Sequence, residues 1–449
     1  MAEQFSPSLL TPSLLRDYVH ANRKCYYRTE KPEPSQEEII RISNTPALPS
    51  PIGPYPQYLT PCKVVIDTDI GTDIDDAFAL LFALRDPNIE ILGVTTNYGV
   101  AKIRQQVAQF ICNRFAEEHH LESPVRCVTG SSRPLGSHRD YFLTHKEGTP
   151  LLDQKYLEEN SFLEMQKETH LEAAQFLHEQ ISSRPHEITI VSIGIPTNIG
   201  LLLSEHPEDG DLIKEIVIMG YGSVILNNEE LSHRDLKGSH AAETLAIESL
   251  SKGNIRLIYP NHNISADTLA TKIMFDHPRL RIKILNHTVT APFIGHGPPI
   301  QFLQKEAAKA QLAPEPSHQP EDNPKYPLLP KYHNLSSDGL VGTLMNVWFD
   351  IRNRHFQCLY DPLTVYEAAY TDPPGTPPEE RTSSVNYICG TMIPHEWAAF
   401  GTFVPNPNGN HFFGAEVLAK KTDFTIDTND TPFMKAFNAS FRENEEVLS

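Results

Sequence analysis

Residues 63–80 read KVVIDTDIGTDIDDAFAL, and the fold turns on how that stretch is parsed. An apolar run, Val64 to Ile66, leads into Asp67, Asp69, Asp73, Asp75 and Asp76, with Gly71 among them. A run rich in Ala, Leu and Phe, helical in pattern, leads out. Acids packed this closely repel one another unless a positive partner neutralises them. Carboxylate oxygens without His or Cys suit a hard divalent cation, Ca²⁺ or Mg²⁺, better than zinc. A solvated acidic turn is the ordinary explanation of such a cluster. It fits poorly between a buried strand and a buried helix, where α/β proteins hold their ligands.

Outward from this stretch the pattern is strand alternating with helix. Val/Ile-rich strands are expected at 63–67, 89–95, 125–129, 187–193, 213–219 and 255–259, and helices at 75–85, 100–117, 170–183, 197–204 and 239–252. Such alternation implies an α/β fold, a mostly parallel, doubly wound sheet with helices on both faces, in a single large domain over residues 62–449. Ligands then sit beyond the carboxyl ends of the strands. The segments to watch are Asp67–Asp76, Thr96–Val100, Gly130–Pro134, Gly194–Asn198 and Met219–Gly222. Residues 1–61 are rich in Pro and Ser and read as an extension, with short helices at 7–18 and 35–42. Elsewhere in it each Pro removes a donor and restrains its predecessor. Regularity fades after residue 275, and 310–340 form a Pro-rich polar insertion with loop character. Order returns in CLYDPLTVYEAAY, where Pro362 suits a first helical turn, and the C-terminal stretch suggests short strands and hairpins.

The chain has 449 residues and a net charge of -19, from 57 acids against 38 Lys and Arg. With no basic run, a polyanionic partner such as DNA or RNA is excluded as an expectation, whereas a metal cation or a neutral small molecule is compatible. No stretch supplies the roughly 18 apolar residues of a membrane helix. The N-terminus lacks the apolar core of a signal peptide. Six scattered cysteines without CxxC spacing fit a reducing compartment, so the cytoplasm is expected. The sequons at Asn263, Asn286, Asn334 and Asn438 are then expected to be unused.

The acidic stretch can be tested against known cation and phosphate loops. An EF-hand loop starting at Asp67 needs an acid at the twelfth position, where Phe78 stands, and a preceding helix rather than a strand. A phosphatase of the haloacid dehalogenase type, with Asp67 as nucleophile, would place Thr or Val where Gly71 stands. The stretch resembles instead the DxDxGxDDA signature of the inosine–uridine-preferring nucleoside hydrolase family. Asp67, Asp69, Gly71 and Asp75–Asp76 before Ala77 match it, with two extra residues after Gly71. Further along, PVRCVTGSSRPLG, IVSIGIPTNIGLLL, IKEIVIMGYG and YDPLTV are similar to later segments of that family, in the same order.

The resemblance implies a Ca²⁺ ion that holds a water and the two vicinal ribose hydroxyls, a carboxylate that takes the water's proton, and an oxocarbenium-like transition state at C1′. Carried over by position, the metal ligands are Asp69, Asp76, the backbone carbonyl of Thr197, and Asp361. Asp69 is also the general base and Asp75 holds a ribose hydroxyl, while Asp67 and Asp73 support. Homodimers or homotetramers are the family's habit. The implied activity is calcium-dependent hydrolysis of the N-glycosidic bond of a nucleoside or related N-riboside.

The same comparison marks departures. The family's ribose-binding Asn falls on Val100, with Asn97 nearby as a candidate substrate contact. Its Glu-x-Asn pair falls on Ser232 and Arg234, of which Arg234 could grip a charged group such as a phosphate. The His offered as leaving-group acid is replaced by Tyr360, which can donate a hydrogen bond but is a poor acid near neutrality. His233, His240 and His262 lie near this region. The metal frame is therefore complete and the sugar and base contacts altered, which leaves a second expectation open: a metal-binding homologue that binds a ligand or partner without turnover.

Overall fold

The structure, a computed structural model, describes residues 61–71, 73–136, 147, 151, 171–222, 224–226, 229–230, 256–258, 261–295, 298–311, 332, 334–352, 357–372, 376–377, 380–394, 401–421 and 426–441. The expected N-terminal extension, the helix expected at 239–252 and most of the 310–340 insertion lie outside these residues.

The acidic stretch splits as its pattern requires. Strand β1 (Cys62–Thr68) runs into the acids, and helix α1 (Asp75–Arg85) starts on the last two of them. There follow β2 (Ile89–Thr96), α2 (Ala101–Glu118), β3 (Cys127–Thr129), α3 (Glu172–Ser183), β4 (Ile188–Ser192), α4 (Thr197–Glu205), α5 (Asp209–Leu212) and β5 (Glu215–Met219). Each of these strands pairs in parallel with its neighbours, in the order β3-β2-β1-β4-β5. β1 lies between β2, reached through α1, and β4, so the chain changes direction across the sheet between β1 and β4. In an open α/β sheet that crevice is where ligands bind.

The sheet buries both faces, and period-2 alternation sorts its side chains. Val64 and Ile66 of β1 join the cluster under α1 and α2, with Phe78, Phe82, Ile103 and Val107. Val65 points to the opposite cluster, with Leu177 of α3 and Leu202 of α4. This arrangement is what reads in sequence as continuous apolar strands.

Beyond β5 the structure departs from the expected alternation. Residues 256–258 do form a strand, β8 (Arg256–Ile258), but it pairs antiparallel with β13 (Gly401–Pro405) and with β6 (Val224–Leu226), itself paired to β7 (Glu229–Glu230), far from the parallel core. The parallel neighbour of β5 is β9 (Ile282–Leu285), reached through α6 (His262–Ala266) and α7 (Thr268–Phe275), in the region where regularity was expected to fade. Only four residues long, it leaves too short a run to show a period. After α8 (His287–Thr290), β10 (Ile294–Gly295) pairs with β11 (Gln357–Cys358); α9 (Pro298–Gln311) and α10 (Ser337–Arg352) lie between them, and α11 (Tyr360–Ala369) follows. The C-terminal hairpins are present as β12 (Val385–Pro394), β13 and β14 (His411–Val417), and β14 runs parallel to β9, which makes the sheet continuous. Helix α12 (Pro432–Ser440) was not expected; its Phe433 and Phe437 pack on Phe82. Trp348 is buried, as expected of a core residue, and donates to Gln357 at 2.8 Å; Trp397 lies outside the described residues. Asn263 and Asn286 of the sequons are buried and hydrogen-bonded. No helix among the described residues is long and apolar enough to cross a membrane.

Candidate active site

The crevice is built from the end of β1 outward. Asp67 is fully buried, and its carboxylate accepts hydrogen bonds from the Thr95 hydroxyl at 2.7 Å, the Asn198 amide at 2.7 Å and the Asn97 amide at 3.0 Å. Its main-chain carbonyl accepts from Ile193 and Gly194 beyond β4, at 2.9 and 3.0 Å. One residue, through its side chain and its main-chain carbonyl, thus joins the ends of β1, β2 and β4. Burial pushes its carboxyl up to about 6, against the pull of these hydrogen bonds. Close backbone approach has its own requirement: a Cβ on Gly194 would stand 2.7 Å from the amide nitrogen of Asp69, so only Gly fits.

The loop that follows is clamped from α2. Arg104, buried, donates through Nη1 to the carbonyls of Asp69 and Ile70, the latter at 3.1 Å, and through Nε to the carbonyl of Tyr98 at 2.9 Å. Gly71 turns the chain at φ 105°, a left-handed conformation that Gly adopts without strain. The Thr68 hydroxyl donates to Asp76 and accepts from the amide of Ile70. Asp75 and Asp76 occupy the first turn of α1, whose positive end favours them.

Asp361, on the first turn of α11, completes the arrangement. Oxygens of Asp75, Asp76 and Asp361 all lie within 4.8 Å of one another, and the three residues are buried. Burial pushes all three carboxyls far above the ordinary range, and mutual repulsion adds to it: Asp361 acts on Asp75, and Asp69 and Asp76 act on Asp361 with Asp76 the stronger. On Asp76 the Asp69 charge adds to burial, while the Thr68 hydrogen bond and Arg104 offset part of it. Acids in this state are stabilised as anions when a cation joins them, and an oxygen-only donor set fits a hard divalent ion.

The expected site residues fall into three groups. Asp76 and Asp361 are brought together, and Asp75, expected to face the sugar, stands with them. The Asp69 carboxylate is outside that 4.8 Å set, partly exposed and close enough to act on two of its members. Thr197 is buried at the start of α4 with its hydroxyl donating to Asp267 at 2.7 Å. Tyr360 adjoins Asp361, with its ring nearly parallel to that of His287 at 5.1 Å; burial, the neighbouring Cys358, and then Asp75 and Asp73 push its phenol above the usual range. Asn97 is held within the chain: its amide donates to Asp67 and its carbonyl accepts from Ile195 at 3.1 Å. The reason is its place at the end of β2, where a buried acid needs a donor. Val100 is fully buried. Arg234, with His233 and His240, lies outside the described residues; His262 is exposed, edge-on to Tyr98 at 5.4 Å.

Other residues with a part in the site were not foreseen. Asp267 caps α7, accepting from Ala270, and also accepts from Leu135, Gly136 and Thr197, so one carboxylate holds α4, α7 and the 134–136 segment together. Its capping role has a sequence signal, an Asp before an apolar helix. Its long-range bonds to the 134–136 segment and to Thr197 have none, nor does the Arg104 clamp.

A parallel α/β sheet with buried carboxylates at its switch point defines the class of open α/β folds that hold a ligand beyond the carboxyl ends of their strands. Residues 64–418 match the family model for inosine-uridine preferring nucleoside hydrolases, and the chain belongs to that family. A probable uridine nucleosidase of Oryza sativa is 32% identical over 160 residues, 35% of this chain and 46% of that protein. A pyrimidine-specific ribonucleoside hydrolase of Salmonella typhimurium is 35% identical over 166 residues, 37% of this chain and 50% of that protein. The chain thus spans about half the length of the curated relatives it matches. Among solved structures, a purine-preferring ribonucleoside hydrolase from Gardnerella vaginalis shares the fold at a TM-score of 0.52 and 18% identity, over 84% of this chain and 98% of that one.

Proposed function

We propose that the protein hydrolyses the N-glycosidic bond of a nucleoside or related N-riboside with the help of Ca²⁺. The observation that carries this reading is the convergence of Asp75, Asp76 and Asp361 at the carboxyl edge of the sheet, buried and mutually repelling. When bound there, the cation would supply Lewis-acid polarisation of a water and of the ribose hydroxyls. Asp76 and Asp361, with Asp69 and the carbonyl of Thr197, would hold it. Asp69, partly exposed beside the buried cluster, accepts the water's proton as its oxygen attacks C1′. Asp75 takes a ribose hydroxyl, and the surrounding carboxylates stabilise the positive charge that develops on the sugar. Asp67, Asn97, Asn198, Asp267 and Arg104 fix these groups in place, as second-layer hydrogen bonds do at metal centres. We further assign Tyr360 to the base and Arg234 to a charged group of the substrate such as a phosphate, and propose that the protein is cytoplasmic and a homodimer or homotetramer.

A second reading, ligand binding without turnover, is favoured by one observation: Val100 is fully buried where the family offers an Asn, and Asn97 is committed to Asp67. One assay separates the two. Purified protein with Ca²⁺ is given uridine, other nucleosides, nucleotides and N-ribosides while reducing sugar is followed. The relatives' names put pyrimidine ribonucleosides first on that panel. Sugar release that vanishes in Asp69→Ala is the expected result. Calcium uptake by calorimetry without release from any substrate would leave the binding role.

A further inference from the structure

Two aromatic rings from separate elements meet beside the carboxylate cluster. Tyr360 adjoins Asp361 at the start of α11. His287 opens α8 directly beyond β9, so it stands at the same carboxyl edge as the acids. The rings lie 5.1 Å apart and 22° from parallel, and neither residue is fully buried. The pairing is anchored from several sides. The His287 amide donates to the carbonyl of Tyr221, beyond β5, at 3.2 Å. Asn286 donates to the carbonyl of Gly414 at 2.6 Å and caps the turn by accepting from Thr288. The β10–β11 ribbon and the Leu359 amide, donating to Phe293 at 2.8 Å, join the end of the α8 segment to the start of α11. Two main-chain connections therefore hold together the segments that carry the imidazole and the phenol ring.

Cleavage of an N-glycosidic bond leaves an electron pair on a ring nitrogen of the base, and a poor nitrogen leaving group departs faster when that ring is protonated. Of the two stacked rings, imidazole is the one whose kind exchanges protons near neutrality. The acids of the cluster serve the opposite need, since they stabilise positive charge on the sugar.

We propose that His287 hands a proton to the departing base, with the Tyr360 ring as the platform that orients it; this rests on the hydrolase reading above. In the step, the C1′–N bond breaks with its electron pair going to the base, which takes the proton from the His287 imidazolium. Water oxygen bonds to C1′ and its proton passes to Asp69. The carboxylate's proton returns to the imidazole through solvent, so the sum is riboside plus water giving ribose plus neutral base.

The test compares two leaving groups on the full chain with Ca²⁺: uridine, whose base needs a proton, and p-nitrophenyl β-D-riboside, whose nitrophenolate leaves without one. In His287→Ala the ratio of kcat on uridine to kcat on the nitrophenyl riboside is expected to fall by about 100-fold or more. His287→Gln, which fills the site and donates a hydrogen bond but is no acid near neutrality, is expected to lower the same ratio. Equal losses on both substrates, with the ratio unchanged, would assign His287 a structural role and overturn the inference while leaving the hydrolase reading intact. A wild type inert on both substrates would overturn the hydrolase reading and this inference with it.

Discussion

At the carboxyl ends of β1 and β4, Asp75, Asp76 and Asp361 are buried side by side. At the amino ends of β5 and β9, Glu215 is buried to the same degree, in the field of Lys283, Arg281 and Lys214. Burial pushes both kinds of carboxyl up. At the amino end the three cations outweigh it and hold Glu215 below the usual carboxylate range; at the carboxyl end more acids add to it. Arg281 donates to Glu215 at 3.1 Å and lies over the Phe412 ring at 3.8 Å, while Lys283 donates to the carbonyl of Glu367 at 2.7 Å. One end of the sheet thus pairs its buried charges within the chain. At the other the charges acting on the cluster are mainly those of further acids, and Arg104, which offsets part of the rise at Asp76, is spent mostly on backbone carbonyls. Equal burial with opposite charge balance separates a structural cluster from a functional one.

The comparison breaks first at Asp361. Asp361→Asn removes one of the converging charges and is expected to lower kcat/KM on uridine by at least about 10³-fold, the several kcal/mol that metal assistance supplies. In chelator the same substitution should raise the melting temperature, because it relieves repulsion among the buried acids. A fall in both would put Asp361 among the structural charges. At the amino end the sign reverses. Arg281→Met leaves Glu215 buried without its hydrogen-bonded ion partner and should cost about 3–5 kcal/mol in a denaturant titration. Calcium affinity of the folded variant should stay within about three-fold, as the two ends share no first-hand contacts.

A smaller effect is expected at Asp267. Its two oxygens accept from three main-chain amides and the Thr197 hydroxyl, at 2.7–3.0 Å. Asp267→Asn turns an NH₂ group towards amides that can only donate, which unseats the start of α4. Calcium binding, followed by calorimetry, should weaken about 10–100-fold, the usual effect of losing a second-layer partner. Unchanged affinity would show that Thr197 needs no such support.

What the sequence disclosed follows the same division. Val64 to Ile66, Ile188 to Val191 and Ile216 to Met219 announced themselves because strands buried on both faces are apolar throughout. The acids of 67–76 stood out because unpaired charges are anomalous beside them. β9 stayed hidden because Lys283 interrupts a four-residue strand, and that lysine is legible only once Glu367 is seen beside it. β8 had the right residues in the wrong place, since a short Val/Ile/Leu run carries no sign of parallel or antiparallel pairing. Pairings between distant residues, such as Asp267 with Thr197, Arg104 with the Asp69 carbonyl and His287 with Tyr360, are products of tertiary contact, and no local spacing encodes them.

Glu367 offers the finest test, because α11 carries it at one end and Asp361 at the other. It is fully buried and accepts from the Ser384 amide at 2.6 Å, the Ser383 hydroxyl at 2.7 Å and the Tyr387 hydroxyl at 3.0 Å. Burial pushes its carboxyl up to about 7, although Lys283 and these donors pull it down. Between the ordinary glutamate value of about 4.5 and about 7 the folded protein therefore binds more proton than the unfolded chain, so stability from this group is full below that window and is lost as pH rises through it. Glu367→Gln keeps an acceptor for Ser384, and the two hydroxyls can turn to accept from its NH₂ group. The variant lacks the titration, so its melting temperature relative to wild type should rise from pH 5 to pH 8, by on the order of 1 kcal/mol or about 2 °C in a chain of this size. A difference that shrinks over that range would mean that Lys283 holds Glu367 ionised, and the amino end of the sheet would then pair its charges more completely than the burial of Glu367 alone implies.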